Sequence, residues 1–458
     1  MDMTNIKLSE QERDNLIKEL SIKAKDSNYI NPELYTKYEV KRGLRDISGK
    51  GVLAGLTEVG EVHAYILDEN ELVPVPGRLS YRGIDIKEIT EGFLKEGRYG
   101  FEETAYLLLC GTLPNKSVLE QFKELLSDAQ SSKAEFARKT VLHIPSKDIM
   151  NVLGRGVLSL YSADQNADDI SIENVLRQSI ELIACVPLIA VYGYQAYVHQ
   201  YLNKSLVLHS PQPELSIAEN ILHMLRPDSK YSKLEATLLD LSLVIHAEHG
   251  GGNNSTFTTH VVTSTGTDTY SAIAAAIGSL KGPRHGGANI KVRHMFKDIK
   301  ENIKDWNDDE AIKNYLTKLL NKEAFDRSGL IYGVGHAVYS VSDPRAEILK
   351  SYAEELANEK HVEEEFNLYK KIEKLAPEVI EQHRKIYKGV CANVDFYSGF
   401  IYEMLDIPEE LYTPIFAISR VAGWCAHRLE ELTNAGKIVR PAFKSVAPKR
   451  EYIPMENR

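Results

Sequence analysis

The chain has 458 residues, of which 43% are hydrophobic and 26% are charged, as expected of an ordinary soluble protein with a large core. Its net charge of −10 disfavours nucleic acid as the main partner, and no block of lysine and arginine stands out. The four cysteines, Cys110, Cys185, Cys391 and Cys425, form no CxxC pair, so neither a zinc finger nor a disulfide framework is indicated.

The first 30 residues are polar and charged and lack the apolar segment of a signal peptide. We therefore expect a cytoplasmic protein whose residues 1–44 form a charged helical extension. "GLRDISGK" and "GKGVLAG" lack the spacing of phosphate-binding and dinucleotide-binding loops and are interpreted as turns. Between Gly51 and Ile86, glycine, valine and turn residues predict a few short strands, a small N-terminal β element.

From about Ile86 onward, apolar residues recur three and four positions apart. This spacing predicts one helix after another and a mainly α fold without a parallel sheet. The most apolar stretch begins at Leu182, is interrupted by Pro187, and is shorter than the roughly 20 residues that cross a bilayer. We interpret it as a buried, kinked core helix.

One aspartate-proline pair and one threonine-proline pair predict the starts of two later helices. Asp343 is followed by Pro344, and Thr413 is followed by Pro414. In each pair the first residue suits the N-cap, and proline suits the first helical position because it has no N–H to leave unpaired.

Two histidines close an apolar helix in the segment "HAEHGGGNNSTF". The HxxH spacing of His246 and His249 either binds a metal or marks an ordinary helix C-terminus closed by Gly250. Three successive glycines indicate that another group approaches the backbone closely.

A single histidine is bracketed by helix breakers in "SLKGPRHGGANIKV". If His285 lies just before the next helix, the positive helix end disfavours its imidazolium form. The neutral ring is then a donor suited to a carbonyl oxygen that gains negative charge. The alternative is a loop histidine between two helices.

The segment "YGVGHAVYSVSDPRAEIL" adds a third histidine, His336, after a Gly-x-Gly turn, and an arginine, Arg345, in the first turn of a helix. A cation at a helix N-terminus opposes the helix dipole, whereas an anion bound there is favoured by both the helix end and the guanidinium. Arg345 is therefore a candidate anion ligand.

A carboxylate and a second arginine complete the candidates. Asp395 lies between apolar neighbours, which raise the pKa of a carboxyl and make it a better base. Arg420 shares a helix face with Phe416, Trp424 and His427, so it either pairs with an acid in the core or faces a ligand. Arginines suit a small dicarboxylate, while neutral histidines with one carboxylate suit proton abstraction beside a carbonyl.

Five motifs in this order and at these spacings resemble the citrate synthase family of the Si type, which includes 2-methylcitrate synthase. They are "HAEHGGGNNSTFT", "GPRHGGAN", "GVGHAVYSVSDPRA", "NVDFYSGFIY" and "RVAGWCAHRLEE", and the resemblance spans about Gly51 to Pro441. It implies a two-domain helical fold, with a large domain (residues 45–284 and 402–458) and a small domain (residues 285–401) that closes over the active site. It also implies an acyltransferase of the tricarboxylic acid cycle that forms citrate from acetyl-CoA, oxaloacetate and water.

The resemblance implies three catalytic residues. His285 would polarise the thioester carbonyl of acetyl-CoA while Asp395 removes a methyl proton to give an enol or enolate. His336 would hydrogen-bond the keto oxygen of oxaloacetate.

Four further residues are implied to bind the oxaloacetate carboxylates. They are His249, Arg345, Arg420 and, from the neighbouring subunit, Arg440. The last of these implies a homodimer. The resemblance implies no metal and no cofactor other than acetyl-CoA and CoA as substrate and product, and no nucleic-acid or membrane partner.

The chain departs from the family pattern at two positions. Arg284 replaces a small or apolar residue, and Ala337 replaces an arginine common in bacterial members. Arg284 contacts either a CoA phosphate or solvent.

Three alternatives are kept beside the citrate synthase prediction. A 2-methylcitrate synthase or dual-substrate enzyme would use propionyl-CoA with the same motifs. A metal-dependent hydrolase would use His246, His249 and His285 as ligands. A regulator that binds citrate or CoA would keep the fold without catalysis, although the three catalytic residues argue against it.

Overall fold

The computed structural model describes residues 9–46, 51–68, 71–336, 338–384, 389–434 and 436–457. The chain divides into two compact units, Met1–Gly55 and Leu56–Arg458. Two helices lie in the first unit, α1 (Glu10–Ser27) and α2 (Glu33–Lys37). Both fall within the predicted helical extension.

A three-stranded antiparallel sheet begins the second unit. Its strands are β1 (Gly60–Asp68), β2 (Glu71–Tyr81) and β3 (Ile84–Asp85), in that order. The hydroxyl of Tyr81 donates to the backbone carbonyl of Val244 at 3.0 Å and so joins the sheet to a buried helix. The predicted small β element is confirmed.

Helices joined by short loops form most of the second unit. The chain is 62% helix and 5% strand, which confirms the predicted mainly α fold. The helices of the second unit are α3 (Ile86–Lys95), α4 (Phe101–Cys110), α5 (Lys116–His143), α6 (Ile149–Tyr161), α7 (Ile172–Leu202), α8 (Ile217–Leu225), α9 (Lys233–His246), α10 (Asn254–Thr263), α11 (Thr269–Lys281), α12 (Ala288–Asn302), α13 (Asp309–Leu320), α14 (Pro344–Glu359), α15 (Glu363–Arg384), α16 (Val394–Met404) and α17 (Tyr412–Thr433). The separation of a large domain from a small domain (residues 285–401) stays a prediction.

The 31-residue helix α7 continues through Pro187, so the expectation that this apolar stretch is too short to cross a bilayer was wrong. By length and composition alone α7 could span a membrane, yet 78% of its most apolar window is buried inside the protein. Such burial is typical of a core helix. Because proline has no N–H, the carbonyl of Ile183 loses its usual helical partner at this point.

One of the two predicted helix starts is confirmed and the other was wrong. Asp343 caps α14, and Pro344 takes the first helical position. Helix α17 instead begins at Tyr412, so Thr413 lies inside its first turn. The Thr413 hydroxyl donates to the carbonyl of Gly286 at 2.8 Å, a tertiary contact that replaces the predicted capping role.

The turn between α11 and α12 requires glycine because the backbone is crowded. A Cβ at Gly286 would lie 2.3 Å from the carbonyl oxygen of Leu280, and a Cβ at Gly287 would lie 2.7 Å from that of Pro283. The turn therefore presents His285 immediately before the N-terminus of α12, as predicted.

We expect Gly286→Ala to destabilise the protein by about 1–3 kcal/mol, because the added methyl overlaps Leu280 and Thr413. Calorimetry would show this as a lower thermal midpoint. The control is Gly92→Ala, since Gly92 lies exposed in α3 with no atom within 4 Å of the added methyl. That change should leave the midpoint unchanged or raise it, because alanine favours helix. Equal midpoints for the two variants would contradict the packing argument.

Candidate active site

Three aromatic rings pack together in the second unit. The ring of His249 lies 5.4 Å from that of His336 and 5.6 Å from that of Tyr339, both edge to face. His336 and Tyr339 stack with centroids 4.9 Å apart. The structure therefore brings together two of the histidines that the sequence placed 87 positions apart.

The HxxH pair does not lie on one helical turn. Helix α9 ends at His246, so His249 and Gly250, which has a φ of 80°, lie in the loop beyond it. Burial lowers the pKa of both histidines well below the ordinary value, and the charges of Arg345 and Arg420 lower it further. Both rings are therefore neutral at physiological pH.

A serine and a tryptophan hold His285. Ser255 Oγ lies 3.0 Å from His285 Nε2 and accepts a bond from the indole N–H of Trp424 at 3.2 Å. Ser255 Oγ also lies 2.9 Å from Asn253 Oδ1, so its single hydroxyl proton goes either to that amide oxygen or to Nε2. Donation to Nε2 corresponds to the tautomer of His285 with its proton on Nδ1. Burial, together with the charge of Arg420, lowers the pKa of His285 to about 4. The predicted neutral imidazole donor is thus supported by its surroundings.

His336 has the opposite tautomer. Its Nδ1 accepts bonds from the backbone N–H groups of Val338 at 3.0 Å and Tyr339 at 3.2 Å, so the ring proton lies on Nε2. Gly333 and Gly335 precede it with φ of 78° and 101°, values that favour glycine. The glycines therefore allow the turn that makes these backbone N–H groups converge on one ring nitrogen.

Arg345 is buried but not free. Its Nε and Nη2 atoms form a two-point ion pair with Asp343 at 3.0 and 2.8 Å, and Asp343 also accepts the backbone N–H of Val394. The helix-capping carboxylate of Asp343 thus occupies two donors of the guanidinium that was predicted to bind an anion. The hydrogen bond from Val394 to Asp343 joins α14 to the start of α16, which carries Asp395.

Arg420 is fully buried and only partly bonded. Its Nε donates to the carbonyl of His246 at 2.6 Å, and its guanidinium lies 4.7 Å from the ring centre of Phe416. Within the described residues, Nη1 and Nη2 have no hydrogen-bond partner. Burial lowers the pKa of Arg420 to about 10, so the group remains charged. Of the two alternatives, a ligand-facing arginine is favoured over one paired in the core.

Asp395 lies in the first turn of α16 and keeps partial exposure. Burial of its carboxyl raises the pKa to about 6, and the nearby charge of Asp343 adds to this while Arg345 opposes it. The direction agrees with the prediction from its apolar neighbours. A carboxylate with this pKa is ionised at neutral pH yet is a stronger base than an ordinary aspartate.

Among the described residues of this chain, Arg440 forms no hydrogen bond or ion pair with the other candidate residues. It is exposed on the C-terminal segment, next to Val439, whose backbone N–H donates to Ser264 Oγ at 3.1 Å. Arg284 is also exposed, as the solvent-facing alternative predicts. Ala337 lies outside the described residues.

Several contacts around the site were not found from the sequence. Ser255 and Trp424 orient His285, Asp343 orients Arg345, and Tyr339 covers His249 and His336. Asp343 was recognised only as a helix cap. Its acidic side chain two residues before an arginine was the available signal, whereas nothing local marks Ser255 as a partner of a histidine 30 positions later.

Neutral histidines, a basic carboxylate and two buried guanidinium groups together suit proton abstraction next to a carbonyl in an anionic substrate. The hydrolase alternative needs His246, His249 and His285 to converge on a metal. They do not belong to the group of converging ligand atoms found among the described residues.

Comparison with known proteins identifies relatives over most of the chain. The sequence model of the family described as "Citrate synthase, C-terminal domain" matches residues 47–442. A citrate synthase of Synechocystis sp. is 35% identical over 387 residues, covering 83% of this chain and 88% of that protein. A 2-methylcitrate synthase of Shewanella oneidensis is 33% identical over 387 residues, covering 83% and 92%.

Solved structures show the same fold. The citrate synthase of Thermotoga maritima has a TM-score of 0.70 at 30% identity, covering 92% of this chain and 99% of its own. The citrate synthase of Thermoplasma acidophilum, in a ternary complex with carboxymethyl coenzyme A and oxaloacetate, has a TM-score of 0.74 at 27% identity, with the same coverage.

We expect Asp395→Asn to stabilise the protein at neutral pH. The folded carboxyl titrates near pH 6, whereas the unfolded one titrates near about 3.9. The folded state thus binds more protons between these values, and wild-type stability is lost as the pH rises through that window. Calorimetry should find the variant more stable by up to about 3 kcal/mol at pH 8, with the difference vanishing toward pH 4.

The control for this prediction is Asp309→Asn. Asp309 lies in the first turn of α13 and pairs with Lys371 at 2.8 Å, a hydrogen bond that lowers the pKa of its carboxyl. Its removal should not stabilise the protein at pH 8. If both variants gave the same pH dependence, a general charge effect would explain it, and the specific environment of Asp395 would not.

Proposed function

Since the chain belongs to the citrate synthase family, whose members are enzymes of the transferase class, we propose that it condenses acetyl-CoA with oxaloacetate and water to give citrate and CoA. One observation supports this above all: Arg420 is a buried cation, two of whose nitrogens bond no described residue, beside histidines that stay neutral. Such a group suits the carboxylate of a small anion. The neighbour from Thermoplasma acidophilum was solved with oxaloacetate and a CoA derivative.

The first step is removal of a methyl proton from acetyl-CoA by Asp395. The raised pKa of its carboxyl, about 6, is closer to the high pKa of the methyl group of acetyl-CoA than that of an ordinary aspartate. The carboxyl is still ionised at pH 7. His285 donates its Nδ1 proton to the thioester oxygen as negative charge develops there. Because burial and Arg420 lower the pKa of His285 to about 4, the donor at neutral pH is a neutral imidazole and not an imidazolium.

The second step joins the nucleophilic carbon of the enolate to the keto carbon of oxaloacetate. His336, with its proton on Nε2, donates to the keto oxygen as that oxygen becomes an alkoxide. His249, Arg345 and Arg420 hold the carboxylates. Arg345 contributes the edge of its guanidinium that Asp343 leaves open.

The third step is hydrolysis of citryl-CoA, in which water adds to the thioester carbonyl and the C–S bond breaks to release CoA. Closure of the small domain over the site would exclude bulk water from the enolate. A cytoplasmic location and the lack of any cofactor beyond the acyl-CoA stay predictions.

The second candidate is 2-methylcitrate synthase, which would use propionyl-CoA. It is kept because relatives with that name are 33% and 31% identical, while relatives named citrate synthase are 32% to 36% identical. One methylene in an apolar pocket discriminates by only about 1–3 kcal/mol, so one site can accept both.

The test is release of CoA, followed with a thiol reagent, when oxaloacetate is supplied with acetyl-CoA or propionyl-CoA. We expect a higher kcat/KM for acetyl-CoA, and a loss of roughly 10²–10⁴-fold in Asp395→Asn with oxaloacetate binding retained. A preference for propionyl-CoA would transfer the assignment to methylcitrate formation. Absence of release with both, from protein that binds oxaloacetate, would overturn the proposal in favour of a binding protein.

A homodimer is also proposed, in which Arg440 binds oxaloacetate in the neighbouring active site. The support is that Arg440 lies exposed on the C-terminal segment, at a position that resembles the family's donated arginine.

Subunit mixing tests this role. Arg440→Ala should raise KM for oxaloacetate at least tenfold, while Arg450→Ala, an exposed arginine of the same segment, should not. Mixing Arg440→Ala with Asp395→Asn subunits rebuilds one complete site per mixed dimer only if Arg440 acts across the interface. Random pairing then restores about a quarter of wild-type activity. If mixing restores no activity, Arg440 acts in the active site of its own chain or in neither active site.

A further inference from the structure

Two histidines on different helices face each other outside the proposed active site. His260 Nε2, on α10, lies 3.2 Å from His427 Nδ1, on α17. The next two residues on the same face of α17, Glu430 and Glu431, lie beside them. We call these four residues the His260–His427 cluster. The sequence offered no signal for it, because the two histidines are 167 positions apart.

Each histidine is oriented by a carboxylate at its other ring nitrogen. Glu431 Oε2 lies 2.9 Å from His260 Nδ1. Glu248 Oε1 lies 3.0 Å from His427 Nε2 in an ion-pair contact that falls outside hydrogen-bond geometry. An ionised carboxylate only accepts, so these nitrogens carry the protons. Burial lowers the pKa of His427, but the charges of Glu248 and Glu430 outweigh it and raise the pKa to about 9, so without a metal Nδ1 also keeps a proton and donates it to His260 Nε2. A divalent ion would take the place of that proton between the two nitrogens.

A third ligand atom points to the same place. Glu430 Oε2 lies 3.7 Å from His427 Nδ1, is buried, and has no hydrogen-bond partner within the described residues. Glu430 Oε1 is held separately by the backbone N–H of Glu58 at 2.7 Å. The three ligand atoms of His260, His427 and Glu430 lie within 4.8 Å of one another.

We propose that His260 Nε2, His427 Nδ1 and Glu430 bind one zinc-type divalent ion. Zinc–nitrogen bonds of about 2.0–2.1 Å at tetrahedral angles place neighbouring ligand atoms about 3.3 Å apart, close to the observed 3.2 and 3.7 Å. A carboxylate behind each ligating histidine is the usual second shell of such a site. Water takes the fourth position.

Charge and access also suit a cation. Glu248, Glu430 and Glu431 surround the two rings, and Arg420 is the nearby cation that acts on Glu248. A divalent ion would offset the remaining negative charge. The side chains of His260 and Glu430 are 15% and 12% exposed, which leaves an entry path from the surface. The ion would join α10 to α17 and fix Glu248, the residue before His249. Its role is therefore in stability and positioning, separate from the proposed condensation.

The test uses the full chain, freed of metal by a chelator and titrated with Zn²⁺ by calorimetry at pH 7.5. We expect one ion per chain with a micromolar or lower Kd and a raised thermal midpoint, since an ion that binds only the folded state stabilises it. Co²⁺ should give the visible absorption of tetrahedral nitrogen and oxygen ligation. His260→Ala and Glu430→Gln should each weaken binding at least tenfold. Glu430→Gln retains an oxygen for the Glu58 N–H and so guards against misfolding.

The matched control is His294→Ala, which removes a histidine from an exposed histidine–glutamate pair at 2.9 Å. It should leave the Zn²⁺ affinity unchanged. Three results would each overturn the proposal: no saturable uptake, uptake that survives both cluster variants, or uptake lost with His294→Ala. The first would mean that a shared proton occupies the gap, and the second would place the zinc on other histidines, such as those of the candidate active site.

Discussion

A positive charge buried without a carboxylate in hydrogen-bond contact is the constraint on which the rest of the site depends. Arg420 is fully enclosed in α17 and bonds through Nε to the backbone carbonyl of His246. A buried charge is strongly unfavourable. The charge of Glu248 offsets part of this cost without a hydrogen bond, and the packing of the surrounding helices supplies the rest. Its field then lowers the pKa of His246, His249 and His285, which burial has already depressed.

Local chemistry in the sequence predicted much of this arrangement. The glycines around His285 indicated a tight turn before a helix, and the turn lies there because no Cβ fits at Gly286 or Gly287. Asp343 followed by Pro344 indicated a helix start for the same kind of local reason. Capping and backbone crowding involve residues near in sequence, so they can be recognised without the fold.

Contacts between distant segments were beyond that reasoning. The same capping pattern failed at Thr413, whose hydroxyl bonds Gly286, 127 positions earlier, instead of its own helix. The tautomer of His285 depends on Ser255 and Trp424, and no spacing rule joins them. Arg345 was expected to be free to bind an anion, whereas part of its guanidinium is bonded to Asp343. Only the folded chain shows which polar groups are already paired.

Helix α17 supports both halves of the proposed reaction. Thr413 bonds the turn that carries His285, Trp424 bonds the serine that orients its ring, and Arg420 between them faces the proposed keto-acid side. A substitution that tilts α17 therefore disturbs the recognition of both substrates at once. Evolution of a new acyl-chain preference in such a protein would accordingly proceed through residues outside this helix, where one substrate can be retuned while the other is held constant.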